Sequence, residues 1–104
     1  MVLGRMLSKS NIMSEAKYQK KIIDRMELLG YYVLKLISTN KNGIPDLLCL
    51  KHCDVLFIEV KGEKGKPSPL QLYRQKELQD KNFKSLIVYE GDDFLTAQYP
   101  KPNN

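Results

Sequence analysis

The spacing of apolar residues along the chain changes several times, and each change marks an element. From Ser14 to Leu29 the apolar stripe Ile22, Met26 and Leu29 recurs at helical spacing, which predicts an amphipathic helix with Ser14 as N-cap and Gly30 as its stop. Tyr31 to Ile37 is rich in β-branched and aromatic residues and predicts a strand; Ser38 to Pro45 is a polar loop. Asp46 to Leu50 and Val55 to Lys61 are two further apolar runs, and the intervening Lys51-His52-Cys53-Asp54 suits an antiparallel hairpin. After a basic loop, Gly62 to Pro67, Ser68-Pro69-Leu70-Gln71 combines a Ser N-cap, Pro at the first helical position and Gln where it closes a capping box. This second helix is expected to end near Lys81. Leu86 to Tyr89 predicts a buried strand, followed by a helical turn near Asp93 to Ala97.

Helix, three strands, helix, strand is the order of an α/β fold, a mixed central sheet flanked by helices. With 104 residues there is room for one domain, expected over 14–99, between a loose basic arm at 1–13 and a frayed tail at 100–104. Hydrophobic residues make up 42% and charged residues 28%, which excludes disordered and collagen-like classes. No apolar run spans a membrane, and the first residues lack the apolar stretch of a signal peptide, so the cytoplasm is the expected compartment. Cys49 and Cys53, with His52 as their one soft companion, fall short of a structural zinc site and read as reduced thiols. Lys and Arg number 17 against 12 acids, and the net charge of +5 favours a polyanionic partner such as nucleic acid.

The acids sharpen this picture. A hairpin with a loop of two or four residues centred between His52 and Cys53 sets Asp46 opposite Glu59, with Cβ atoms ~4.5–5.5 Å apart on one face, where like charges destabilise the sheet unless compensated. A divalent cation is the simplest compensation. Strand alternation adds Lys61 to that face and turns Ile58 and Val60 into apolar surroundings. Glu15 lies in line with Ile22 and Met26 on the inward helical face, either as a third carboxylate of the cluster or as a first-turn acid favoured by the helix dipole. Hard carboxylate oxygens suit Mg²⁺ or Mn²⁺, which activate water and polarise a phosphoryl oxygen in phosphodiester hydrolysis. Lys61 either stabilises charge developing on the phosphate or is a lysine at a strand end.

Gly43-Ile44-Pro45-Asp46 followed by Glu59-Val60-Lys61 resembles the Pro-Asp…Glu-X-Lys signature of the restriction-endonuclease-like nucleases. Together with the upstream Glu15 and with Ser68-Pro69-Leu70-Gln71, the pattern resembles the VRR-NUC nuclease domain over Ser14 to Tyr89. The resemblance implies a restriction-endonuclease-like core in which Glu15, Asp46 and Glu59 hold Mg²⁺, with Mn²⁺ able to substitute. Val60 would contribute its backbone carbonyl, and Asp46, Glu59, Lys61 and Gln71 would form the catalytic set. Gln71 carries two compatible readings, as active-site glutamine and as capping-box residue. The chain looks like the short stand-alone, often phage-encoded members of that family. Those are homodimeric endonucleases that resolve four-way DNA junctions, and Tyr31, Tyr32 and the first helix are candidate interface elements.

Lys9, Lys17, Lys20, Lys21, Lys41, Lys64 and Lys66 are the expected phosphate contacts, with Lys41, Lys64 and Lys66 the strongest candidates for DNA binding. Two other functions fit the same residues. One is a repair or restriction-type nuclease acting on flaps or linear DNA; the other is a non-catalytic nucleic-acid-binding module whose acids are neutralised by Lys35 or Lys61.

Overall fold

A computed structural model describes residues 14–102; the arm expected over 1–13, with Lys9, and the end of the tail at 103–104 lie outside them. Helix α1 (Glu15–Leu28) begins at Ser14, whose Oγ accepts the Lys17 N–H at 3.2 Å. Its buried residues are Tyr18, Ile22 and Met26. Tyr18 extends the expected stripe by one turn at its N-terminal end, and Leu29 packs at the margin of the core. Gly30 follows in the left-handed region at φ +95, which lets the chain turn back under the helix.

Strands β1 (Tyr32–Lys35), β2 (Leu47–Lys51), β3 (Asp54–Lys61) and β4 (Lys84–Tyr89) form a single sheet in the order β1-β2-β3-β4. The first two pairings are antiparallel and the third is parallel, reached through helix α2 (Pro69–Asp80), so the sheet is mixed as expected. The β2–β3 register runs from Lys51↔Asp54 to Leu47↔Ile58 across a two-residue turn at His52-Cys53, which is the register the sequence implied. Strand β1 is shorter than the expected Tyr31 to Ile37. Tyr31 turns inward, 8% exposed, with its hydroxyl donating to Asp54.

Alternation along β3 assigns the two faces. Leu56, Ile58 and Val60 are fully buried with Ile22 and Met26 of α1, Leu47 and Cys49 of β2 and Val88 of β4. Phe57, Glu59 and Lys61 point to the other face, where α2 lies. That helix has no buried residue and is attached by polar contacts. The side-chain amides of Gln75 and Gln79 both donate to the Ser85 carbonyl, at 2.9 and 3.1 Å.

Beyond β4, a π-helical turn (Phe94–Gln98) takes the place of the expected turn at Asp93 to Ala97 and buries Phe94 and Leu95. Tyr99 packs its ring 4.9 Å from that of Phe94, and its carbonyl accepts from the Arg25 guanidinium at 3.0 Å. Among the described residues no helix is long and apolar enough to cross a membrane.

Candidate active site

Asp46 immediately precedes β2, after the buried Pro45. Its carbonyl accepts the Leu36 N–H at 2.8 Å, and its Oδ2 accepts the Val60 N–H at 2.8 Å. The second bond ties the carboxylate to the main chain of β3 one residue beyond Glu59. Asp46 and Glu59 therefore meet at the end of the β2–β3 ladder, although Asp46 itself is outside the strand in which it was expected.

Glu59 is 5% exposed. Its Oε2 accepts from Gln71 Nε2 at 2.9 Å and lies 3.3 Å from Lys61 Nζ. Its Oε1 is buried and has no hydrogen-bond partner among the described residues. Burial pushes the Glu59 carboxyl up to about 6, reinforced by the nearby Asp46 charge and opposed by Lys61. Asp46 is likewise raised by burial; the Val60 N–H, Lys61 and Lys35 work against that shift and the Glu15 charge adds to it. A buried acid with one oxygen lacking any donor, beside a half-buried second acid, suits a cation.

Glu15 departs from its expected inward placement. Its side chain is exposed at the first turn of α1, and its Oε1 accepts the Gly62 N–H at a long 3.3 Å, just past the end of β3. Its charge reaches both Asp46 and Glu59. Among the described residues no three His, Cys, Asp or Glu side chains stand close enough to hold a metal ion. Lys61 is half-buried beside Glu59. Val60 has its side chain in the core and its N–H on Asp46.

Gln71 closes the expected capping box and also touches Glu59. Its Oε1 accepts the Ser68 N–H at 2.8 Å and the Gln71 N–H donates to Ser68 Oγ at 3.1 Å, completing the capping box, while Nε2 reaches Glu59. Sequence reasoning missed the rest of the brace. Arg74 Nε donates to the Asn42 carbonyl at 2.8 Å, and Leu70 packs so closely on Gly43 that an added Cβ would stand 2.6 Å from its Cγ. The signal available for α2 was the four-residue spacing of Gln71, Gln75 and Gln79, which puts three amides on the helical face turned to the sheet.

Lys41, Lys64 and Lys66 are exposed around this end of the sheet. Lys20 is paired with Asp24 at 2.9 Å, which weakens it as a phosphate contact. Tyr31 is withdrawn as an interface candidate by its burial, whereas Tyr32 is 68% exposed.

No family model matches the chain. A protein named "Putative nuclease p44", from Acyrthosiphon pisum secondary endosymbiont phage 1, is 28% identical over 68 residues, covering 64% of this chain and 73% of that protein. A solved structure described as "VRR_NUC domain" is 35% identical, with a TM-score of 0.66, and the match covers 72% of this chain and 83% of that one. Sequence and fold agree across most of both chains. The chain belongs to the VRR_NUC family of nuclease domains, with the restriction-endonuclease-like fold.

Proposed function

We propose that the protein is a Mg²⁺-dependent, structure-selective DNA endonuclease that hydrolyses phosphodiester bonds and, as a homodimer, resolves four-way junctions. The observation that carries the hydrolytic part is Glu59 Oε1, a carboxylate oxygen buried without a donor beside the half-buried Asp46. Such an oxygen fits a hard divalent cation, and a site with one or two carboxylates that leaves room for water is the kind Mg²⁺ takes. Asp46, Glu59 and the Val60 carbonyl would hold the ion; Glu15, expected as a third ligand, stands apart on the Gly62 N–H and adds its charge. When bound, Mg²⁺ makes a water more acidic and polarises the phosphoryl oxygen.

The remaining steps fall to the chain's own residues. Lys61 carries a compact ammonium 3.3 Å from Glu59 Oε2, placed to stabilise charge developing on the phosphate. Gln71 steadies Glu59 from the opposite helix. Lys41, Lys64 and Lys66 engage phosphates on either side of the scissile bond, which positions DNA without reading its sequence. Pairing about a two-fold axis would give two active sites and a wider basic surface, matching a junction with two strands to cut. The exposed Tyr32 and helix α1 are the surviving interface candidates.

The Lys61–Glu59 ion pair also suits a non-catalytic nucleic-acid-binding module, in which the acids serve only to be neutralised. Cleavage of a labelled immobile junction beside duplex, flap and single strand, with Mg²⁺, Mn²⁺ or EDTA, separates the readings. Paired, metal-dependent nicks on the junction alone support the proposal. Equal cutting of every substrate leaves a nuclease and removes the junction preference, and binding without cutting under either metal favours the module.

A further inference from the structure

The side chain of Gln71 is held at both ends by groups of opposite demand. Its carbonyl oxygen takes a backbone N–H from Ser68, and its NH₂ gives a hydrogen to Glu59 Oε2. Turning the amide over would set NH₂ against N–H and C=O against carboxylate, losing both bonds at once, so one orientation is selected. Glu59 is then committed through Oε2, which also faces Lys61, and Oε1 is its uncommitted oxygen. The helix that delivers the amide has no buried residue and is registered on the sheet by Gln71, Gln75 and Gln79. The same first turn touches the loop leading to Asp46, through Leu70 on Gly43 and, one turn on, Arg74 on Asn42.

We propose that Ser68 and Gln71 are positioning residues: the Ser68 N–H fixes the Gln71 amide, which presents Glu59 Oε1 rather than Oε2 to the metal. The capping box thus has a task beyond ending a helix neatly, and α2 acts as a brace across the loop bearing Asp46 and the strand bearing Glu59. The inference rests on the metal-dependent reading of the site and deepens it. A merely structural cap predicts a different pattern of effects, because loss of a cap lowers stability and leaves the intact site's metal affinity alone.

Two variants separate these roles. Gln71→Met keeps the length of the side chain and removes the amide. Ser68→Pro removes the N–H at a residue whose φ of −74 a proline accepts, and with it the Oγ that caps the Gln71 N–H; Ser68→Ala, which loses only that cap, is its control. The readouts are Mn²⁺ affinity by calorimetry on DNA-free protein, kcat and KM for cleavage, thermal midpoint, and the Gln71 NH₂ signals by NMR. The proposal expects Mn²⁺ affinity to fall at least about 5-fold and kcat at least about 10-fold in both variants, with KM within about 2-fold, since the metal site is altered and the DNA-contacting lysines are not. The wild-type Gln71 NH₂ signals should shift in Glu59→Gln, and in Ser68→Pro they should no longer respond to that change. Unchanged Mn²⁺ affinity and kcat in folded Gln71→Met, while Asp46→Asn loses both, would overturn the positioning role and leave the nuclease reading standing. A wild-type protein that neither binds Mn²⁺ nor cleaves would remove that reading and this inference with it.

Discussion

The Asp46 carboxylate accepts the backbone N–H of Val60 at 2.8 Å, so the acid at the end of one strand is fastened to the residue after the acid on the next. This bond gives Asp46 a structural task as well as a chemical one. Asp46→Ala should leave the Val60 N–H without its acceptor in a half-buried place, at a cost of about 1–3 kcal/mol. Asp46→Asn keeps an oxygen there and relieves a half-buried charge. Urea unfolding of the two variants should therefore rank Ala well below Asn, and equal stabilities would show that the bond contributes nothing.

Glu59 makes stability depend on pH in an unusual direction. Its folded-state value is raised from 4.5 to about 6, so over that window the folded chain holds the proton more tightly than the unfolded one. The contribution of this group is full below about pH 4.5 and is lost as pH rises through about 6, amounting to about 2 kcal/mol. In metal-free buffer Glu59→Gln should accordingly raise the thermal midpoint at pH 7, with the gain shrinking to nothing by pH 4. A gain that does not vary with pH would contradict the assignment.

Mg²⁺ should act on the same balance. An ion bound only by the folded state stabilises by about 2.7 kcal/mol at a hundred times its dissociation constant. Differential scanning calorimetry should show a rise with Mg²⁺ in the wild type, little in Asp46→Asn, and none that sodium at equal ionic strength reproduces. An equal rise in both proteins would place the ion elsewhere.

Lys61→Ala should lower kcat at least about 100-fold while junction binding stays within a few-fold, because on the proposed reading the ammonium beside Glu59 would be one charge among several contacting phosphates. Lys61→Arg should rescue little, since a planar fork replaces a compact charge in a half-buried place. Full activity in the alanine variant would return Lys61 to the role of strand-end lysine.

Gly43 holds the loop before Asp46 at φ +81, with Leu70 against it. Gly43→Ala should destabilise by about 1–3 kcal/mol from the backbone and the 2.6 Å approach together. Adding Leu70→Ala should return part of that loss, the part due to contact, and a double-mutant cycle measures the coupling. Strictly additive effects would mean that helix and loop do not press on each other.

Much of this arrangement was legible in the residues because strand periodicity is rigid. One two-residue turn fixes every pairing from Lys51↔Asp54 to Leu47↔Ile58, and from these the approach of Asp46 to Glu59 follows. Ser68 and Gln71 announced the helix start because capping chemistry is local. Tyr31, expected in the strand and at an interface, is buried instead: an aromatic beside a strand serves either face, and its partners Asp54 and Tyr99 are distant in sequence. Glu15 misled for a related reason: helical phase gives a direction but not a depth, and the first turn of α1 projects past the sheet to Gly62. The attachment of α2 was hidden because three glutamines do the work that an apolar stripe does elsewhere, and hydrophobic periodicity is silent about them.

The central claim is that Asp46 and Glu59 form a divalent-cation site that hydrolyses DNA. It is tested most directly by following cleavage of a labelled four-way junction at saturating Mg²⁺ by wild type and Asp46→Asn, with binding of the same junction measured in parallel. The account predicts metal-dependent cleavage by the wild type, a fall of at least about 1,000-fold in Asp46→Asn, and junction binding retained by both. Cleavage by Asp46→Asn at the wild-type rate, or wild-type cleavage that persists in EDTA, would contradict it.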